Sequence, residues 1–384
     1  MDVAFVTSQV YPYRKGGTEK RIHEIGKRLV GYGHEVTVYG CHWWDGASEN
    51  ENRGMTLKGI SPGREQYVGN RRSIAEALRF STDLLQPLRQ KIDDHDVVVV
   101  CVSEHFPVWV SALLSSTSDT PIVTTWHEVW TREYWKSYLG LLGNVGWVVQ
   151  LITGHLPQNP VAVSSMTADR LAKIGPNRDS IEVIPNGIDI GKIRSAPAAG
   201  VGFDILFVGR LIPEKNVDLL LTAFDQVSEA HDVTLGIIGD GPQREELQSL
   251  AGSLSHSDCV TFLGFLKDNT EVYGHMKAAE IFVLPSVREG FGISALEAMS
   301  AGCIPITVDH PDSGASEVVG DCGFVTDVTA SAVAEAINKS IRGETPDGNP
   351  VKRAEKFDWD RIARQAEYVY QNAAGESAQR VQTW

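Results

Sequence analysis

No uninterrupted apolar run in this sequence reaches the roughly 18 residues that a membrane span requires. The nearest, YLGLLGNVGWVVQLITGHL (138–156), is broken by Asn144, Gln150 and glycines. A basic–apolar–small leader is also missing, because MDVAFVTS opens like a first strand. Cysteine is scarce: Cys41, Cys101, Cys259, Cys303 and Cys322 are odd in number, irregularly spaced and never C-x-x-C. That argues against a disulfide or zinc framework and for core residues in a reducing compartment. Basic charge is in deficit, with 35 Lys+Arg against 49 Asp+Glu and a formal net charge of −14. A nucleic-acid scaffold held by general electrostatics is therefore disfavoured, although a local basic pocket is not. Finally, no G-x-G-x-x-G follows the first strand, which discounts a dinucleotide-dependent oxidoreductase. The expectation is a cytoplasmic chain, with contact at the cytoplasmic face of a membrane left open.

What is present is a soluble globular composition, 42% hydrophobic and 22% charged over 384 residues, too long for one ordinary core. Strand, turn and helix alternate. DVAFVTS precedes GGTEKRIHEIGKRLVGYG, in which Ile22, Ile25 and Leu29 share a helical face; HEVTVYG follows as a strand. Further strands read at DVVVVCVS (96–103), PIVTTWH (121–127), PVAVSS (160–165) and IEVIPNG (181–187). Near-continuous Val/Ile runs indicate parallel strands covered on both faces. The stretch SAPAAGVG (195–202) reads as an inter-domain linker, after which the pattern restarts from DILFVG. The fold expected is α/β, with two doubly wound Rossmann-like domains, 1–198 and 199–357, facing a central cleft. The tail from Gly375 reads as frayed.

Chemistry-bearing residues gather at the strand ends. Gly16 and Gly17 precede a helix, as a phosphate loop or a plain turn would. In FVGRLIPEKN, Arg210 and Lys215 suit a diphosphate, or are two solvated charges beside a proline loop. IIGDGP offers Gly239, with Asp240 a turn residue or helix cap. In REGFGISALEAMSAG (288–302), Gly290 and Gly292 loosen a loop before a small-residue helix. The N–H groups of Phe291, Gly292 and Ile293 would then face an anion. Glu289 and Glu297, eight apart, can accept from sugar hydroxyls and from a vicinal diol; the bland alternative is one acid on the helix dipole and another on a solvated face.

Taken in order, FVGRLIPEKN, IIGDGP, LPSVREGFGISALEAMSAGCIPI and IPNGID resemble the retaining glycosyltransferases of family 4, with the two-domain GT-B fold. The segment from Glu289 to Glu297 matches that family's E-x7-E signature. The resemblance implies that Arg210 and Lys215 bind the donor diphosphate, that Glu289 lies near the transferred sugar, and that Glu297 meets the nucleotide ribose. It implies that Phe291, Gly292 and Ile293 are backbone donors, and that His127, in TTWHE, stands near the reacting centre. KFDWDRIARQAEYVY (helix about 358–374) is similar to the closing helix that returns to the first domain. The substrate implied is a nucleoside-diphosphate sugar (UDP or GDP), with no cofactor and no metal; DHD (94–96) and DWD (358–360) read as structural. The acceptor implied is a glycan or a lipid-linked molecule, attacking from the face of the departing phosphate.

On the acceptor side, Arg14, Lys15, Glu104 and His105 are weaker candidates. The tryptophan-rich segment 126–149 reads either as buried packing or as a lipid-facing surface. Alternatives of the same fold are a sugar-nucleotide epimerase and a catalytically silent sugar-nucleotide-binding subunit. Retention of Arg210, Lys215, Glu289 and Glu297 counts against both.

Overall fold

The computed structural model describes residues 1–65, 67–68 and 71–375; the tail beyond Gly375 lies outside them. The chain forms two compact units, Met1–Pro185 joined by the segment from Trp359, and Asn186–Asp358.

In unit 1 the strands are β1 (Asp2–Val6), β2 (Glu35–His42), β3 (Glu49–Asn52), β4 (Met55–Pro62), the short pair β5 (Tyr67–Val68) and β6 (Arg71–Arg72), β7 (Val97–Val102), β8 (Ile122–Trp126), β9 (Asn159–Ala162) and β10 (Glu182–Val183). The main sheet runs β10-β9-β8-β7-β1-β2-β4-β3. It is parallel except for the β3–β4 hairpin. β7, VVVVCV, is buried at every residue, as a central strand covered on both faces must be. Its helices are α1 (Gly17–Gly31), α2 (Ile74–Arg89), α3 (Phe106–Ser115), α4 (Arg132–Leu139), α5 (Gly143–His155) and α6 (Ser165–Ala172). α1 buries Ile22, Ile25 and Leu29, then turns at Gly33, whose φ of +91° only glycine adopts freely.

Unit 2 alternates β11 (Ile205–Val208), β12 (Leu235–Ile238), β13 (Val260–Gly264), β14 (Ile281–Leu284), β15 (Ile304–Val308) and β16 (Phe324–Thr326) with helices. These are α7 (Ile190–Ser195), α8 (Val217–Ser228), α9 (Arg244–Gly252), α10 (Asn269–Ala278), α11 (Ile293–Ala301), α12 (Ala315–Val319), α13 (Ala330–Ile341) and α14 (Pro350–Ala354). The sheet order β13-β12-β11-β14-β15-β16 is the 3-2-1-4-5-6 order of a Rossmann-like fold.

The first crossing between units differs from the linker expected at 195–202. That stretch belongs to unit 2, where it is held by backbone and lysine contacts. Lys277 Nζ donates to the carbonyls of Arg194 (2.9 Å) and Ala196 (2.6 Å), and Ala199 N donates to Gly274 O (2.9 Å). The small, proline-broken composition that suggested a linker instead allows a close approach of chain to helix. The crossing lies at Pro185–Asn186. There the buried guanidinium of Arg21, on α1, donates to Ile184 O (3.0 Å) and Pro185 O (2.5 Å).

The last helix, α15 (Trp359–Ala373), completes unit 1. Trp359, Ile362, Ala366, Val369 and Tyr370 enter the same core as Phe5, Ile25 and Leu29. A charged rim reinforces the seam: Arg28 bridges Glu24 and Asp360, and His34 bonds Glu367 (2.8 Å). Burial alone would raise the Glu24 carboxyl, but Lys27 and Arg28 outweigh it and hold the carboxyl below the usual range. Glu367 is likewise depressed, with burial opposed by His34 and Arg364. A depressed carboxyl stabilises the fold above its unfolded pKa, so this contribution is full at neutral pH and is lost as pH falls below the ordinary glutamate range.

The aspartates of the two D-x-D stretches take up scaffold bonds. Asp94 pairs with Lys91 (2.8 Å), Asp96 accepts from Asp2 N (2.7 Å) and Asp360 pairs with Arg28. Cys41, Cys101, Cys303 and Cys322 are buried and Cys259 half-buried, all free. Burial pushes the Cys41, Cys101 and Cys303 thiols up to about 12, which makes them inert core residues. Among the described residues no helix is long and apolar enough to cross a membrane.

Truncating the fully buried Trp359 to alanine should cost about 3–5 kcal/mol. A calorimetric scan should show the loss in the transition of unit 1, with that of unit 2 unmoved.

Candidate active site

In unit 2 the site is assembled from strand-end loops. β11 ends at Val208, and Gly209 and the exposed Arg210 follow. After a short 3-10 turn (Pro213–Lys215), Asn216 adopts a left-handed conformation (φ 55°, ψ 40°) that starts α8. Lys215 Nζ forms an ion pair with Glu289 Oε1, both side chains being largely buried. The structure thus joins the expected diphosphate cation and the expected sugar acid directly.

Glu289 is also fixed through its backbone. Its N–H donates to Asp312 O (3.1 Å) and its carbonyl accepts from Gly314 N (2.8 Å), a parallel bridge to Ser313. Gly314 has to be small, because a Cβ there would lie 2.9 Å from Gly290 O. Phe291 is buried with its ring 5.8 Å from Phe357. Gly292 (φ 95°) is the N-cap of α11, without a side-chain cap. The first N–H groups of α11 therefore meet no capping side chain, the usual basis of an anion site. Glu297, on the second turn, is half-buried and accepts from Tyr273 OH (3.1 Å), itself buried on α10.

The loops carrying Arg210 and Gly239 are pressed together. Leu211 N donates to Asp240 O (2.9 Å) and Gly209 N to Ile238 O (3.0 Å). Gly239 has φ +143° and a Cβ on it would overlap the Gly209 carbonyl. Asp240 is a turn residue here: its Oδ1 accepts from Gly241 N (2.8 Å) and its Oδ2 faces Arg244 (3.4 Å).

The remaining candidates lie in unit 1. His127 follows β8 and is half-buried. Glu104 and His105 follow β7; Glu104 is buried and accepts from Ser8 Oγ (3.0 Å). The His105 ring lies 6.0 Å from both Trp126 and Trp135. Arg14 is engaged within the unit. It forks onto Glu65 (2.9 and 2.7 Å), bonds Gln9 Oε1 (3.1 Å) and lies over the Trp43 ring (4.6 Å). Lys15 and both glycines of the Gly16–Gly17 turn are exposed. Gly16 caps α1, and the Glu19 carboxylate folds back against it. Glu19 is the acid of the first turn of α1.

The tryptophan-rich segment is partly buried and partly exposed. Trp126 is fully buried, while Trp130, Trp135 and Trp147 are half-buried. Leu141, Leu142, Val145, Val148 and Ile152 are exposed, Leu141 at 98%. Sequence reading missed Tyr273, the 312–314 loop and Glu19. Only Glu19, three residues after the Gly16 cap, carried a usable signal. Among the described residues no group of three or more His, Cys, Asp or Glu side chains is placed to hold a metal ion.

Two Rossmann-like units, one with cations and acids at its strand ends, define a glycosyltransferase of the GT-B fold. A model of group 1 glycosyl transferases matches residues 192–357 and one of glycosyltransferase family 4 matches residues 15–192. The chain belongs to glycosyltransferase family 4. It is 27% identical over 373 residues to a phosphatidyl-myo-inositol mannosyltransferase of Mycolicibacterium smegmatis, covering 94% of this chain and 91% of that one. A GDP-mannose-dependent alpha-(1-6)-phosphatidylinositol monomannoside mannosyltransferase of Mycobacterium tuberculosis is 29% identical, with 87% and 89% covered. Among solved structures, Anabaena HepE in complex with UDP-glucose superposes with a TM-score of 0.73 at 20% identity, over 98% and 100% of the chains.

Gly239→Ala should destabilise unit 2 by about 1–3 kcal/mol through backbone strain. Gly252→Ala, where no atom lies within 4 Å of the added carbon, should leave its melting temperature unchanged.

Proposed function

We propose that this glycosyltransferase moves a hexose, with retention, from a nucleoside-diphosphate sugar to a hydroxyl of a lipid-linked acceptor. The observation that carries the reading is the Lys215–Glu289 pair beside the uncapped start of α11. A donor diphosphate suits that place: Lys215 and Arg210 supply positive charge, and the N–H groups of Phe291, Gly292 and Ile293 complete the cradle. Glu289 positions the sugar hydroxyls and Glu297, steadied by Tyr273, the ribose diol. Gly239 lets the neighbouring loop approach the donor. In unit 1, His127 is the further catalytic candidate, and Arg14, Lys15, Glu104 and His105 are the candidates for the acceptor.

In the reaction the acceptor oxygen bonds to the anomeric carbon as the bond from that carbon to the diphosphate oxygen breaks. The departing phosphate takes the acceptor proton, and Arg210 and Lys215 stabilise its charge. A carboxylate held in an ion pair is a poor nucleophile, which supports same-face attack over a covalent sugar–enzyme intermediate. The two cations supply the charge, so the reading invokes no metal ion and no cofactor. The curated relatives named above act on phosphatidylinositol lipids by their names, and one uses GDP-mannose; this supports a lipid-linked acceptor and leaves GDP- and UDP-sugars as the donors to test.

Nucleoside diphosphate release from a panel of UDP- and GDP-hexoses should persist in EDTA. Arg210→Ala should lower kcat about 10²–10³-fold, and failure of both Arg210→Ala and Lys215→Ala to do so would end the reading.

A lipid-linked acceptor also accounts for the exposed aliphatic residues. α5 carries no Asp, Glu, Lys or Arg, yet Val145, Val148 and Ile152 face solvent, with Leu141 and Leu142 just before it. Such a helix suits the surface of a bilayer, which would place the protein at a cytoplasmic membrane face. Sedimentation with phosphatidylglycerol vesicles should be lost in a Leu141→Glu/Val148→Glu double variant that still binds nucleotide.

A further inference from the structure

The turn after β8, three residues beyond His127, and the helix α4 gather four aromatic side chains. The ring of Trp130 lies 4.7 Å from Tyr134, 4.7 Å from Trp135 and 4.9 Å from Tyr138, edge-on to both tyrosines. Tyr134 and Tyr138, one helical turn apart, are nearly parallel, with 16° between their planes. All four are half-buried, so a rigid aromatic surface is kept at the exterior.

The cluster is held from behind by one polar side chain in an apolar helix. Gln150, on α5, is 1% exposed. Its oxygen accepts from Trp130 N (3.0 Å) and from Trp135 Nε1 (3.3 Å), and its NH2 donates to Trp130 O (2.8 Å). The Trp130 indole N–H is taken by Glu128 (2.7 Å). Burying an amide is unfavourable unless its hydrogen bonds are made, and the bonds of Gln150 go to this turn and to Trp135. The rings are fixed before any ligand arrives, which lowers the entropy lost on binding.

We propose that this cluster is the subsite for the ring of the acceptor, a pyranose or cyclitol, with Trp130 as the stacking residue and Gln150 as a positioning residue. The inference rests on the reading of a glycosyl acceptor and adds where unit 1 grips it. A sugar or cyclitol ring has a C–H face for an aromatic face and a rim of hydroxyls. The exposed Arg132, Glu133 and Lys136 of α4 supply the matching donors and acceptors. An acyl chain has no use for those charges. The uncharged α5 surface, next in the chain and packed against α4, suits it instead. Ring and tail of an amphiphilic acceptor thus meet two consecutive helices of different character.

The test is saturation-transfer NMR on the full chain with methyl α-D-mannopyranoside, myo-inositol and, as an acyclic control, hexane-1,6-diol. Saturation should reach the ring C–H protons of at least one cyclic probe. It should fall at least five-fold in Trp130→Ala and several-fold in Gln150→Ala, and be largely kept in Trp130→Phe. GDP and UDP binding, measured on the same samples, reports folding and the donor reading separately. Loss of nucleotide binding in the unaltered protein would sink the donor assignment and leave the aromatic result to stand on its own. Absence of ring saturation, its survival in Trp130→Ala, or equal saturation of hexane-1,6-diol would each overturn the subsite. If Trp130→Ala fails to bind nucleotide, Tyr138→Ala replaces it, with the same reduction expected.

Discussion

Glu289 is held from three directions in unit 2. Its carboxylate is paired with Lys215, its amide donates to one loop residue, and its carbonyl accepts from another. Three segments distant in sequence therefore agree on the position of one side chain. Isolated surface pairs contribute little to stability, but a pair held by backbone bonds on both sides loses little additional freedom when it forms. The order of the strand-end loops follows from this arrangement. The loop after β15 closes on the loop after β14, and the turn before α8 brings up the lysine.

The same packing explains the glycines. Gly239 lies against the Gly209 carbonyl and Gly314 against the Gly290 carbonyl, so at these contacts a side chain would force two loops apart. Gly292 serves conformation instead, since its left-handed backbone turns the chain into α11. Unit 1 uses its strand ends differently. There Glu19 lies against the start of α1, Arg14 is spent on Glu65, and aromatic rings cluster in the turn after β8 and on α4.

The legibility of these features in the sequence follows from how local their causes are. β7 was readable because an unbroken apolar run leaves a strand no alternative, and Glu289 and Glu297 stood out through the glycines before a small-residue helix. The polar hairpin strand β3, ENEN, gave no periodic signal, because an edge strand need not bury a face. Tyr273 was silent for another reason: its bond to Glu297 spans separate helices, and nothing in TEVYGHMKAA marks a hydroxyl with a distant partner. The stretch 195–202 misled because proline and small residues serve a tight approach as well as a tether. The α5 segment kept two readings, since composition alone does not say which face of an apolar helix is covered.

The seam between α1 and α15 has a consequence for biosynthesis. Unit 1 is encoded first, yet Trp359 and Tyr370 of its core are encoded after the whole of unit 2. While the ribosome makes the intervening segment, the side of the sheet that α15 will cover stays open, and the early half of the chain waits with an unfinished interior. Unit 2, contiguous from Asn186 to Asp358, can close as soon as it emerges. The half that begins first therefore finishes last, and the nascent chain depends on its own final helix, or on a chaperone until then, to keep that apolar surface from a stranger's.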